Sequence, residues 1–74
     1  MSAGEKIRFL RGDRSQSAVA EAIGVTKSAF AMYERDERRP RDEIKLKIAN
    51  YFGRTVEEIF YNDQILQGSY AGDS

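Results

Sequence analysis

Residues 16–35, QSAVAEAIGVTKSAFAMYER, decide how the rest of the chain is read. The stretch predicts two short helices joined by a tight turn. Ala18, Val19, Ala22 and Ile23 recur at helical spacing and give the first helix one narrow apolar face. Gly24 follows, the residue that most readily adopts the left-handed backbone that ends a helix. Val25 is an apolar plug, and Thr26 caps the next helix by accepting a backbone hydrogen bond two or three residues on. Phe30 and Tyr33, three apart, supply the buried stripe of the second helix. Ala20 is small where the two helices have to cross closely. Lys27, Ser28, Ala31 and Met32 fall on the opposite side, towards solvent or a ligand. A short helix with so few charges on its outer face has the character of a reading head.

Seventy-four residues make one domain. A chain of this size buries only about 60% of its unfolded surface, so its stability margin is small. It has no cysteine and no histidine, which removes disulfides, thiolate metal sites and a good zinc ligand set. No apolar run approaches the roughly 20 residues of a membrane span, and the N-terminus has no signal-peptide core. The expected compartment is the cytoplasm, with no metal, cofactor or membrane partner. Without His or Cys, and with no paired carboxylates in a plausible cleft, the chain is not expected to be an enzyme.

Net charge is zero, yet its distribution is uneven. All 12 Lys and Arg lie in residues 1–54 beside 8 of the 12 acids, a local excess of +4. Residues 55–74 hold the other four acids and no base. Phosphate binding depends on where positive charge sits, not on the total. The competing reading of the same charges is a solvated, mixed surface.

Outward from the central stretch, residues 5–11 (EKIRFLR) predict a first helix with Ile7 and Leu10 facing inward, broken by Gly12-Asp13. Ser15 is placed to cap the second helix. After Glu34 comes ERDERRPR, a polar loop closed by proline, whose four bases exceed its three acids by one. Residues 41–52 predict a fourth helix with Ile44, Ile48 and Phe52 on one stripe, Ala49 beside it, and Asp42 and Glu43 favourable to its dipole. Gly53 ends it. Thr55 and Glu58 form a capping box that opens a fifth helix containing Ile59 and Phe60. Residues 1–62 are therefore expected to be the folded domain. Residues 63–74 lose the pattern and read as a loose C-terminal tail, with Ile65, Leu66 and Tyr70 the only apolar anchors.

Gln16, Ala20, Ile23-Gly24-Val25, Phe30 and Tyr33-Glu34 together resemble the helix-turn-helix of the lambda-repressor-like family, also called the Cro or xenobiotic-response-element (XRE) family. The resemblance extends to Leu10-Arg11, Arg39-Pro40-Arg41, Lys47-Ile48-Ala49, Phe52-Gly53 and Val56-Glu57-Glu58-Ile59-Phe60, covering residues 5–61. It implies an all-α, compact five-helix DNA-binding domain with the helix-turn-helix at helices 2 and 3. The connection before Gln16 departs from the commonest family pattern, where a Gly-Leu pair precedes Ser-Gln. Asp36 stands where relatives commonly have a left-handed glycine, a conformation Asp tolerates better than most residues.

The resemblance also implies roles. The second motif helix would enter the major groove with its N-terminal residues at the bases. Lys27 and Ser28 would reach base edges or nearby phosphate, and Met32, one turn on, would meet a thymine methyl. Thr26 would touch phosphate while capping, and Gln16, at a helix N-terminus, would hold a phosphate and brace the reading helix. Ala31 completes the reading face. Arg35 and Arg38 would lie along the backbone, and Arg41 would reach the minor groove. Solvated charge for Lys27 and core filler for Met32 are the competing readings. Arg11 and Glu34 would form a partly buried structural salt bridge. One reading helix sees few base pairs, so a homodimer on a near-palindrome is expected, with Val56, Phe60 and Tyr61 as its candidate interface. The expected function is sequence-specific binding of double-stranded DNA as a small transcriptional repressor. The alternative is an antitoxin-like module that binds a partner protein as well as DNA.

Overall fold

The computed structural model describes residues 1–61; the C-terminal segment read as a tail, with Ile65, Leu66 and Tyr70, lies outside the described residues. Among the described residues all regular structure is helical: α1 (Ala3–Arg11), α2 (Gln16–Ile23), α3 (Lys27–Glu34), α4 (Asp42–Phe52) and a π-helical turn, α5 (Glu57–Tyr61). Helix α1 begins two residues before the predicted start, because Ser2 and Glu5 make a reciprocal capping box. Ser2 Oγ accepts from the Glu5 N–H at 3.1 Å, and the Glu5 carboxylate accepts from the Ser2 N–H at 2.9 Å. The other predicted caps are present. Ser15 accepts from the Ala18 N–H and Thr26 from the Ala29 N–H, each at 3.0 Å. Thr55 and Glu58 exchange bonds of 2.9 and 3.1 Å. Gly24, at φ 81°, ends α2 in the left-handed region, and Asp36 takes the same region at φ 59°.

The core is formed by Ile7, Val19, Ala20, Ile23, Phe30, Tyr33, Ile48, Ala49 and Ile59. Helix α1 packs on α3 and α5, and α2 packs on α3 and α4. Two expectations are corrected. The buried stripe of α2 is Val19, Ala20 and Ile23; Ala18 and Ala22 are exposed. Alanine carries too little apolar surface to declare which face it occupies, whereas the branched pair at i, i+4 does. Leu10, Ile44 and Phe52 are half-buried, packing around the core rather than inside it.

Lys45 is buried in the middle of α4, a position the apolar pattern did not mark. Its ammonium donates to Tyr61 Oη at 2.7 Å, sits 3.7 Å from Asp42 and lies 4.9 and 5.5 Å from the ring centroids of Tyr61 and Phe60. A buried lysine is tolerated when its charge finds such partners.

Two non-local ties fasten α1, one to the end of α3 and one to the loop that follows it. Arg11 grips Glu34 through Nε at 2.6 Å and Nη2 at 3.1 Å, with the Glu34 side chain only 3% exposed. That hydrogen bond, reinforced by the charge of Glu34, raises the Arg11 pKa above its ordinary value against the effect of burial. At the other end of α1, Asp36 accepts from the Gly4 N–H at 2.9 Å and from Ser2 Oγ at 2.6 Å. Gly4 is needed for this approach. A Cβ there would lie 2.5 Å from the Glu34 carbonyl oxygen and 2.6 Å from that of Tyr33.

Glycine to alanine ordinarily stabilises a helix interior by about 1 kcal/mol. Here Gly4→Ala should instead destabilise by about 1–3 kcal/mol, the cost of overpacking against backbone that cannot retreat. Thermal denaturation followed by circular dichroism checks the sign. Removing one partner of the buried pair leaves an uncompensated charge, so Arg11→Ala should cost about 3–5 kcal/mol. An unchanged melting curve for Arg11→Ala would show that the pair contributes no net stability.

Candidate nucleic-acid interface

The N-terminus of α3 stands at the surface because Thr26 caps it while Phe30 and Tyr33 anchor its inner side. Thr26, Lys27 and Ser28 are exposed on its first turn. Ala31 and Met32 continue along the helix but are half-buried, less open than the sequence pattern predicts. The outer face thus graduates from exposed polar side chains at the N-terminus to a low apolar ridge one turn later.

Helix α2 begins beside the end of α3. Gln16 occupies its first position and turns its side-chain amide inward: Nε2 donates to Glu34 Oε1 at 2.9 Å. Glu34 therefore receives Arg11 from α1 and Gln16 from α2 while belonging to α3. The amide of Gln16 is a brace in this structure, and the backbone N–H groups at the start of α2 remain the anion-attracting feature of that corner. No acidic side chain lies in the first turn of either α2 or α3.

The loop from Arg35 to Arg41 completes one edge of this surface. Arg35, Arg38, Arg39 and Arg41 are exposed, and Pro40 is buried beneath them. Arg35 Nη2 pairs with Glu37 at 3.0 Å, which raises the arginine pKa and lowers that of the glutamate below its ordinary range. One of the four arginines thus carries its own counter-ion. Arg41 is the backbone N-cap of α4, with no side-chain capping bond.

The residues read as a dimer face are placed differently. Val56, Phe60 and Tyr61 are each half-buried, Phe60 against the core and Tyr61 as acceptor of the Lys45 ammonium. The sequence pattern did not mark the roles of Lys45 or of Asp36 as the acceptor for α1. The Ser2–Glu5 spacing was the legible signal of where α1 starts. Among the described residues no group of three or more Asp, Glu, Cys or His could hold a metal, and no helix is long and apolar enough to cross a membrane.

Comparisons with known proteins agree with this geometry. A helix-turn-helix family model matches residues 6–59. The chain is 38% identical over 56 residues to the cryptic phage CTXphi transcriptional repressor RstR of Vibrio cholerae, covering 73% of this chain and 50% of that protein. It spans about half the length of the relative it matches. Its fold is similar to that of the P22 c2 repressor protein, solved in complex with synthetic operator 9T in the presence of Tl+. The TM-score is 0.80 at 26% identity, over 85% of this chain and 98% of that one. With the capped helices α2 and α3 in place and a family match over residues 6–59, the chain belongs to the Cro/C1-type helix-turn-helix (XRE) family.

Proposed function

We propose that this protein is a transcriptional repressor that binds double-stranded DNA sequence-specifically, as a homodimer on a near-palindromic operator. The observation that carries this reading is the exposed, capped N-terminus of α3, on a helix whose far end is tied to the N-terminus of α2 by the Glu34 network. A helix of this diameter fits the major groove, and its first turn brings Lys27 and Ser28 to base edges. Ala31 and Met32 form the apolar part of the reading face, suited to a thymine methyl. Thr26, the N-terminus of α2 at Gln16, and Arg35, Arg38 and Arg41 hold the flanking phosphates and minor groove. Similarity to an operator-bound phage repressor and to a transcriptional repressor supports the same assignment.

Residues 1–62 act as the DNA-binding unit, and a second copy supplies the other half-site about 34–36 Å away. Val56 and Phe60 both pack partly against the core and Tyr61 accepts from Lys45, so helical content has to be read beside oligomeric state when this face is tested.

Base contacts and phosphate contacts separate in salt titrations on operator and scrambled duplex. Ser28→Ala or Lys27→Ala should relax preference at one base pair per half-site, worth about 1–3 kcal/mol. Arg38→Ala should weaken both duplexes alike and flatten the slope of log affinity against log salt by about one unit. Equal loss on both duplexes for every α3 variant would overturn the reading-helix assignment. Val56→Asp should yield monomers with unchanged helical content in sedimentation. A wild-type protein that stays monomeric at micromolar concentration and on DNA would remove the dimer.

A further inference from the structure

Arg14 lies in the turn between α1 and α2, directly before the Ser15 cap. Its guanidinium carbon is 5.4 Å from the ring centroid of Tyr51 and 5.8 Å from that of Phe52. Those rings, at the C-terminal end of α4, meet edge to face with centroids 5.0 Å apart and planes at 82°. Both distances fall within the range over which a cation is drawn to a ring face. The backbone of Arg14 is tied as well. Its N–H donates to the Arg11 carbonyl at 3.2 Å, and its own carbonyl accepts from Arg11 Nη1 at 2.7 Å. Among the described residues no carboxylate pairs with Arg14. A cation next to a phosphate-binding helix terminus is thus turned onto two aromatic rings.

We propose that Arg14 is a positioning residue for DNA binding: laid over Tyr51 and Phe52, it pins the α1–α2 turn to the end of α4 and so aims the N-terminus of α2 at the phosphate backbone. The inference rests on the DNA-binding reading above. It assigns Arg14 a role unlike that of Arg38. Arg38 contributes charge to the duplex and releases counter-ions there, whereas Arg14 contributes geometry. The other bonds of the turn run back to α1: the Gly12 N–H donates to the Arg8 and Phe9 carbonyls and the Arg14 N–H to that of Arg11. Arg11 fastens the turn to α1 and Glu34, and Arg14 fastens it to α4.

The clamp is testable without DNA. Ring currents of Tyr51 and Phe52 should shift the Arg14 side-chain protons upfield, and Tyr51→Ala should return them towards random-coil positions. Random-coil shifts for Arg14 in the wild-type protein would overturn the clamp whether or not the protein binds DNA. With operator duplex, Arg14→Ala and Tyr51→Ala should each lower affinity about two- to fivefold, with the salt slope unchanged. The double variant should lose no more than either single one, and Tyr51→Phe, which keeps the ring, should bind normally. A slope flattened by about one unit in Arg14→Ala, with Tyr51→Ala unaffected, would make Arg14 a phosphate ligand and overturn the proposal. Gln16→Ala distinguishes aiming from general stability. Gln16 and Arg14 both tie the start of α2, so the losses in the double variant should depart from additivity; strictly additive losses would overturn the positioning role. Loss of all duplex binding by the wild-type protein would remove the positioning role together with the functional reading, while the ring-current shifts would still register the clamp.

Discussion

The Glu34 carboxylate is almost wholly removed from water, and it is held by three donors from two other helices: Nε and Nη2 of Arg11 and Nε2 of Gln16. Burying an ionised group costs several kcal/mol unless its lone pairs are filled with good geometry. Here they are filled only when α1, α2 and α3 occupy one mutual arrangement. The apolar core holds these helices together, but Ile7, Val19, Ala20 and Phe30 would tolerate small sliding movements. The charge does not, because two donors come from a planar fork with fixed directions. The end of α3, the start of α2 and the last turn of α1 are therefore set by one group.

Much of this was legible in residues whose chemistry is local. Ser15, Thr26 and the Thr55–Glu58 pair announced helix starts because a cap needs only its own next three residues. Gly24 announced a left-handed helix end, and Phe30 with Tyr33 announced the inner side of α3, whereas the left-handed Asp36 was reached through family resemblance. The Arg11–Glu34 pair is non-local and was reached only through family resemblance. Lys45 was missed because its partners, Tyr61 and Phe60, lie on another element, and nothing in a helical repeat encodes a contact 16 residues away. Ala18 and Ala22 misled for the opposite reason: periodicity counts them as apolar, yet their small side chains pass equally well as surface. Of the site, the exposed cap region of α3 followed from the sequence. The bracing of α3 by Gln16 was expected through family resemblance, but its partner was not, since only the third dimension brings the amide to Glu34.

The electrostatic design is economical. The chain is neutral overall, and its cations work through placement. Arg11 is committed to the interior, Arg14 to two rings, Lys45 to Tyr61, and Arg35 to Glu37. Several of the twelve bases thus serve structure. Those left on the α3–α4 loop are few and clustered, which favours binding governed by fit and by local potential rather than by broad attraction to polyanions.

The two ties that fasten α1 also set a schedule for its docking. Arg11 waits for a partner 23 residues later, and Ser2 and Gly4 wait for Asp36, 34 and 32 residues later. A ribosome adding about 5–20 residues per second needs roughly 2–7 s to make the later end of those contacts. Throughout that interval α1 has been synthesised and its capping box is complete, yet Ile7 has no core to enter. Helix α1 is therefore made before both of the residues that tie it, Glu34 and Asp36.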